Sequence, residues 1–236
     1  MAKTELAPAG KLRVGVNLGN FLLVNKDPAS GVPRGIVPDL AQELGRRLGA
    51  QVELVTFSGA GETADGAKAG AWDVAFIGAE PQRAEQIAFT SAYLEIPATY
   101  LVPAGSPIRS LEEVDRAGIR IAVSARSAYD LFLSRNLKLA QLVRAEGIQA
   151  SYDLFVAQKL DVLAGLLPRL ASDVAKLPGA RILEGKFTAV QQAVGTPKAR
   201  SQGAAWLREF VADIKATGLV AQLIARHNVQ GVNVAP

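Results

Sequence analysis

The chain reads as an α/β protein built on parallel sheets, and three observations predict this. Strand-like apolar runs alternate with helical periodicities, the order that βαβ units require. The run Val74-Ala75-Phe76-Ile77 is apolar on both faces, as in a strand covered by helices on each side. The alternation then begins a second time after Pro103-Ala104-Gly105-Ser106-Pro107, a linker-like break, so a second α/β lobe is expected beyond it.

Taken in order, residues 12–18, 52–57 and 72–77 are the strands of the first set. Leu40, Leu44 and Leu48 recur at i, i+4, i+8 in a helix with Pro38 near its start and Gly49 past its end. A weaker helix is expected over 63–71, where Gly66 in its interior costs about 1 kcal/mol. An apolar strand runs into the break near 100–105, a first hinge candidate. The second set has strands at 119–123, near 141–145 and at 161–164, with helices from Ser127, near 151–158 and after Pro168. The return through 187–195 is a second hinge candidate. Trp206, Leu207, Phe210, Val211 and Ile214 share one stripe of a helix ended by Gly218, and a further helix reaches His227; this part is expected to pack on the first lobe.

Composition narrows the function classes. The 236 residues are 49% hydrophobic without any run near the roughly 20 apolar residues a membrane span needs. The formal charge of +4 comes from 26 basic residues dispersed among 22 acidic ones, with Arg46-Arg47 a doublet suited to a helix face. Without a basic run or interleaved aromatics, nucleic acid is not an expected partner. No cysteine is present, which removes disulfides, thiol nucleophiles and thiolate metal sites. The one histidine, His227, lies near a helix end, where a positive charge suits the dipole, so neither a catalytic residue nor a metal or other cofactor is expected. Residues 1–8 carry no apolar h-region; the chain is expected to be periplasmic if a signal has been removed from it, and cytoplasmic otherwise.

The stretch 72–93 is the most informative. Gly78 ends the apolar strand, and a short loop then presents Arg83, whose planar fork of donors suits a carboxylate at the carboxyl end of a parallel strand. From spacing alone a solvated surface arginine is the preferred reading. Gly70, Trp72-Asp73, Gly78, Pro81-x-Arg83 and Phe89-Thr90-x-x-Tyr93 together resemble the signature of the polar amino-acid solute-binding proteins of ABC importers. Leu12-Arg13-Val14-Gly15-Val16 resembles the opening strand of that family, and Gly35-Ile36-Val37-Pro38-Asp39-Leu40 its first helix entry, so the likeness covers nearly the whole chain.

The resemblance implies a two-lobed type II periplasmic-binding-protein fold, each lobe a mainly parallel sheet flanked by helices. Lobe 1 would comprise 1–102 and 192–236, lobe 2 would comprise 103–191, and hinge strands would lie near 100–105 and 187–195. It implies a ligand carboxylate held by Arg83, with Gly78, Ala79 and Glu80 in the same loop, and by Ser127 and Ala128 on lobe 2. Ser127-Ala128-Tyr129-Asp130 has the form of a capping box with Asp in place of Glu, so Ser127 is also expected simply to cap a helix.

The sequence departs from the family on the amine side. In Asp161-Val162-Leu163-Ala164-Gly165-Leu166-Leu167-Pro168, Leu166 stands where the family has the aspartate that receives the ligand ammonium. Either another acid substitutes, Glu80 being the leading candidate, or the ligand has no α-ammonium; Glu80 could equally pair with Arg83 or face solvent. Asn17 stands where an aspartate is common and Asn20 where a stacking tyrosine is common, with Phe21 able to supply an aromatic wall or to be buried in lobe 1. The expected function is a monomeric, non-enzymatic binding protein for an amino acid or related small carboxylate, closing about its hinges and delivering to a membrane permease. A cyclohexadienyl-dehydratase-like enzyme on the same fold and a cytoplasmic ligand sensor are the alternatives.

Overall fold

In the computed structural model of the chain, residues 2–236 are described and only Met1 lies outside them. A one-turn helix α1 (Ala2–Leu6) precedes β1 (Lys11–Asn17). The two-residue strands β2 (Asn25–Lys26) and β3 (Pro33–Arg34) pair as a small hairpin before α2 (Ile36–Leu48). Then come β4 (Gln51–Phe57), α3 (Ala60–Lys68), β5 (Val74–Gly78), a 3₁₀ turn at Arg83–Glu85 and the long strand β6 (Ile87–Val102). The second set is β7 (Arg120–Ser124), α4 (Ala128–Asn136), β8 (Gln141–Ala145), α5 (Ile148–Ala157), β9 (Val162–Leu166) and α6 (Leu167–Val174). β10 (Arg181–Ile182) and β11 (Thr188–Pro197) lead to α7 (Ser201–Ala216), α8 (Leu219–Arg226) and β12 (Asn233–Val234).

Most expected elements form within a few residues of their anticipated bounds, and the differences have local causes. α3 starts at Ala60 rather than 63, because Gly59-Ala60-Gly61 offers no capping side chain or apolar repeat to announce it. α5 likewise begins at Ile148, entered from Gly147 at φ 97. Trp72 and Asp73 precede the strand instead of starting it, each engaged by its side chain. α2 ends as anticipated: Gly49 adopts φ 64, a left-handed value glycine reaches without steric cost, and its N–H bonds back to Arg46.

The chain divides into two compact units, Met1–Glu95 with Gln191–Pro236, and Ile96–Val190. The first is discontinuous in sequence. Its division from the second falls at 95/96, inside β6 and ahead of the Pro103–Gly105 turn, and at 190/191, inside β11. In the first unit β1 pairs in parallel with both β4 and β5, while β11 joins β5 and β12 joins β6 in antiparallel fashion. In the second, β7 pairs in parallel with β8 and β9, and β6 runs antiparallel to β9 and β10. The parallel pairs are those made by βα connections; antiparallel pairing enters through the two strands shared between the units and two short strands beside β6.

The first unit buries α2 through Leu40, Leu44 and Leu48 and α7 through Leu207, Phe210, Val211 and Ile214; Trp206, on the edge of that stripe, is half-buried and stacks on Phe210. Arg47 of the basic doublet pairs with Glu43 on its own helix and with Asp213 of α7, and lies over the Phe210 ring, a helix–helix contact, while Arg46 is exposed and pairs with Glu43 within α2. Trp72 is fully buried, and its indole N–H donates to the Thr63 carbonyl at 2.8 Å. Its ring needs two glycines: a Cβ at Gly66 would stand 2.5 Å from Trp72 Nε1, and one at Gly15 2.8 Å from Cδ1.

Beside it, Asp73 is 1% exposed and ties three segments together. Its carboxylate accepts from the Arg13 main chain at 3.0 Å, from Arg13 Nε at 3.0 Å and Nη2 at 2.9 Å, and from Arg200 Nη1 at 2.7 Å. Burial pushes its pKa up, but the hydrogen bonds from Arg13 and Arg200 outweigh burial and hold it below the ordinary value. The second unit has its own core, in which Leu101, Ala122 and Leu163 of the sheet meet Phe155, Leu160 and Leu170.

Candidate functional site

In the first unit, β1 and β5 are neighbours in parallel register, with Val14 opposite Val74 and Val16 opposite Phe76, so the loops that follow them leave from the same edge of the sheet. That edge is where open α/β sheets bind ligands. It brings together two groups of candidate residues, Asn17, Asn20 and Phe21 after β1, and Gly78, Ala79, Glu80 and Arg83 after β5.

Arg83 is not a solvated surface arginine: it is buried, 6% exposed, at the start of the 3₁₀ turn. Its Nη1 donates to the Gly78 carbonyl at 2.7 Å, so the side chain folds back over the end of the strand that carries it. Burying a guanidinium demands acceptors for its N–H donors, and the Gly78 carbonyl is one such acceptor. Ala79 N–H donates to the Gln191 carbonyl at 2.7 Å, which anchors the loop to β11. Glu80 is half-buried, and its carbonyl accepts from Ala84 N–H at 2.9 Å.

In the other loop, Asn17 Oδ1 accepts from Gly19 N–H at 2.9 Å, an Asx turn that commits this side-chain oxygen to its own backbone. Asn20 is 8% exposed, and its Oδ1 is buried without a hydrogen-bond partner among the described residues. An orphaned amide oxygen in such a loop carries a desolvation cost that a donor would relieve. Phe21 is half-buried and its carbonyl is held by Asn25 Nδ2 at 2.7 Å.

In the second unit the same logic applies to β7 and β9, parallel neighbours with Ile121 opposite Val162. Ser127 caps α4: its Oγ accepts from Asp130 N–H at 3.0 Å, and the Asp130 carboxylate accepts from Arg126 N–H at 2.8 Å. Both halves of a capping box are therefore present, shifted by one residue on the return bond. Arg144 Nε holds Asp130 at 3.0 Å, which fixes the box against β8. Ala128 opens the helix as a buried first residue, where main-chain N–H groups and the dipole favour an anion. The Tyr129 hydroxyl beside it is buried without a hydrogen-bond partner among the described residues, and desolvation pushes its pKa up to about 12.

Leu166 is the last residue of β9, 4% exposed, leading straight into α6. A carboxylate does lie nearby in sequence, but Asp161 accepts from the Arg120 main chain at 2.8 Å at the other end of the strand. His227 sits against α2, its Nε2 2.8 Å from Asp39 Oδ2. Sequence reasoning missed the ties of Asp73 and of Asp39, because each joins residues far apart in the chain. Among the described residues no group of three His, Asp or Glu side chains is arranged to hold a metal ion, and no helix is long and apolar enough to cross a membrane.

The model of the bacterial extracellular solute-binding proteins, family 3, matches residues 12–230, and the chain belongs to that family. Solved structures share the fold. The solute receptor for L-cysteine of Neisseria gonorrhoeae aligns at TM-score 0.81 and 19% identity, covering 97% of this chain and 95% of that one. A mutant of ArgBP from T. maritima aligns at TM-score 0.78 and 21% identity over 97% of this chain and 99% of that one. The ancestral amino acid-binding protein AncCDT-1, a precursor of cyclohexadienyl dehydratase, aligns at TM-score 0.78 and 20% identity over 96% and 99%. No curated protein sequence matches the chain. The fold is that of the type II periplasmic binding proteins, a mixed α/β architecture with sheet flanked by helices.

Proposed function

We propose that this member of family 3 binds a small carboxylate, an amino acid or a deaminated relative, and delivers it to the permease of an ABC importer. The single observation that carries the reading is Arg83, a guanidinium buried at the carboxyl end of β5 and folded onto the strand that presents it. Its planar fork of donors, held at the edge where open α/β sheets bind ligands, matches a carboxylate bidentately.

The capped start of α4 in the second unit supports the same reading, because Ser127, the Ala128 N–H and the positive helix end also suit a carboxylate. A carboxylate engaged by both units would favour a closed form through its differential contacts, with bending at the crossings near 95/96 and 190/191. Leu166 supports a ligand without an α-ammonium, because an ammonium beside a buried leucine would lose its hydration without gaining a counter-charge.

A thermal-shift panel tests this by setting L-amino acids against their 2-oxo and unsubstituted carboxylate analogues. Stabilisation by carboxylates, with little preference for the α-ammonium, is the expected result. Stabilisation only by L-amino acids would move the counter-charge to another acid, Glu80 first. Disappearance of a hydroxy-acid ligand with formation of an unsaturated product would replace binding by dehydratase chemistry.

A further inference from the structure

The two strands that cross between the units, β6 and β11, are hydrogen-bonded neighbours in the sheet, and at their crossing points a side-chain pair adds to that pairing. Glu95 is the last residue of the first unit's opening segment and Gln191 the first of its returning segment. Gln191 Nε2 donates to Glu95 Oε1 at 2.9 Å. Both residues are only partly buried, so the bond lies where water competes for it and its loss need not unfold the unit.

Each partner is also held from behind. On the Glu95 side, β12 runs along β6 with Asn233 opposite Glu95 and Val234 opposite Leu94, and Ala235 N–H donates to the Tyr93 carbonyl at 3.2 Å. Lys215 of α7 donates to the Ala92 carbonyl at 3.3 Å and to the Pro236 carbonyl, tying the C-terminal strand to the helix beneath it. On the Gln191 side, the main-chain carbonyl receives the Ala79 N–H at 2.7 Å, and the next residue, Gln192, stands opposite Gly78 on β5. Gly78 is the residue whose carbonyl receives Arg83. The bond between Glu95 and Gln191 therefore closes a route from the Arg83 loop to both crossing strands.

We propose that Glu95 and Gln191 are positioning residues: they clamp the first-unit ends of both crossing strands, so that bending is confined to the residues beyond 95 and before 191 and the Arg83 loop moves as part of one rigid piece. The proposal rests on the solute-binding reading, which supplies the bending motion. It adds that the width of the resting distribution of conformations is set by this pair.

The test needs no ligand. The chain has no cysteine, so Ala205→Cys on α7 and Ala157→Cys on α5, both exposed, accept spin labels, one on each unit, without background. Electron-electron resonance distances are then compared in four forms: the labelled parent, Gln191→Glu, Glu95→Gln, and the two substitutions together. Gln191→Glu sets two carboxylates against each other; the double variant restores one amide-to-carboxylate hydrogen bond with the partners exchanged. A hydrogen bond to a charged group is worth enough to shift a two-state population about tenfold. The expected result is a second, broader distance population in Gln191→Glu, raised about tenfold over the parent, and a return to the parent distribution in the double variant. A parent-like distribution in Gln191→Glu, or a double variant as broad as Gln191→Glu, overturns the clamp. Should Gln191→Glu fail to fold, Gln191→Ala removes the bond without repulsion and is read the same way. Failure here leaves carboxylate binding untouched, and a failed ligand panel leaves these distances unchanged.

Discussion

Replacing Asp73 by Asn tests the fold at a buried carboxylate that ties distant segments together. The two side chains have the same shape, so the change isolates charge and hydrogen bonding from packing. Asp73 Oδ2 accepts two bonds from Arg13, and Oδ1 accepts one from Arg13 and one from Arg200. Whichever way the asparagine amide turns, an NH₂ group then faces two donors, so two of the four bonds are lost and two arginines are left without their counter-charge. Removing one partner of a buried pair costs about 3–5 kcal/mol. The Arg13 and Arg200 side chains are 37% and 23% exposed and can recover some hydration, which places the expected loss near the lower end, about 3 kcal/mol. For a chain of this size that corresponds to a melting point lower by about 6–12 °C at neutral pH.

The pH dependence gives a second check on the same variant. Because the folded pKa of Asp73 is depressed, its stabilisation is complete above the unfolded value, near 4, and is lost as pH falls through the lower folded value. The gap between wild type and Asp73→Asn should be constant from about pH 6 to 8 and close below about pH 4. Differential scanning calorimetry across that range reads both effects. A melting point within about 2 °C of wild type at pH 7, or a gap that persists unchanged to acid pH, would refute the reasoning.

Other substitutions probe single features. Gly66→Ala improves helix propensity by about 1 kcal/mol yet should destabilise overall by about 1–2 kcal/mol, since its Cβ would stand 2.5 Å from Trp72 Nε1; a raised melting point would contradict the packing of that ring. Ser127→Ala should cost about 1 kcal/mol in urea unfolding through loss of the cap, and Ser127→Thr should keep most of it. Leu166→Asp places a carboxylate at a site 4% exposed; it should lower apo stability, with preference moving toward ammonium-bearing ligands, which calorimetric competition between an amino acid and its deaminated analogue would show.

What the sequence reveals depends on how local the cause is. The strands of the first set and the Leu40, Leu44, Leu48 face are legible because each is written in consecutive residues of one period. Ser127 is legible as a cap because Ser-x-x-Asp spans a single turn. The full 16-residue extent of β6 is not, since Ser91, Glu95 and Pro97 interrupt its apolar pattern and only its neighbours reveal the strand. Two-residue strands such as β12 exist through pairing alone. Within the candidate site, the position of Arg83 after the strand was readable, but its burial and its return bond to Gly78 were not. The second residue of the Trp72-Asp73 pair looked like a motif letter; its partners lie 60 and 127 residues away, at separations no local pattern encodes.

Titration calorimetry of the carboxylate that most stabilises the wild type, run against wild type, Arg83→Lys and Arg83→Ala, tests the central claim most directly. Loss of a charge-assisted bidentate contact costs about 2–5 kcal/mol, so Arg83→Ala should bind at least about thirtyfold more weakly. Arg83→Lys should fall between, keeping the charge without the fork. Equal affinity in all three proteins would take Arg83 out of the site and the carboxylate-binding function with it.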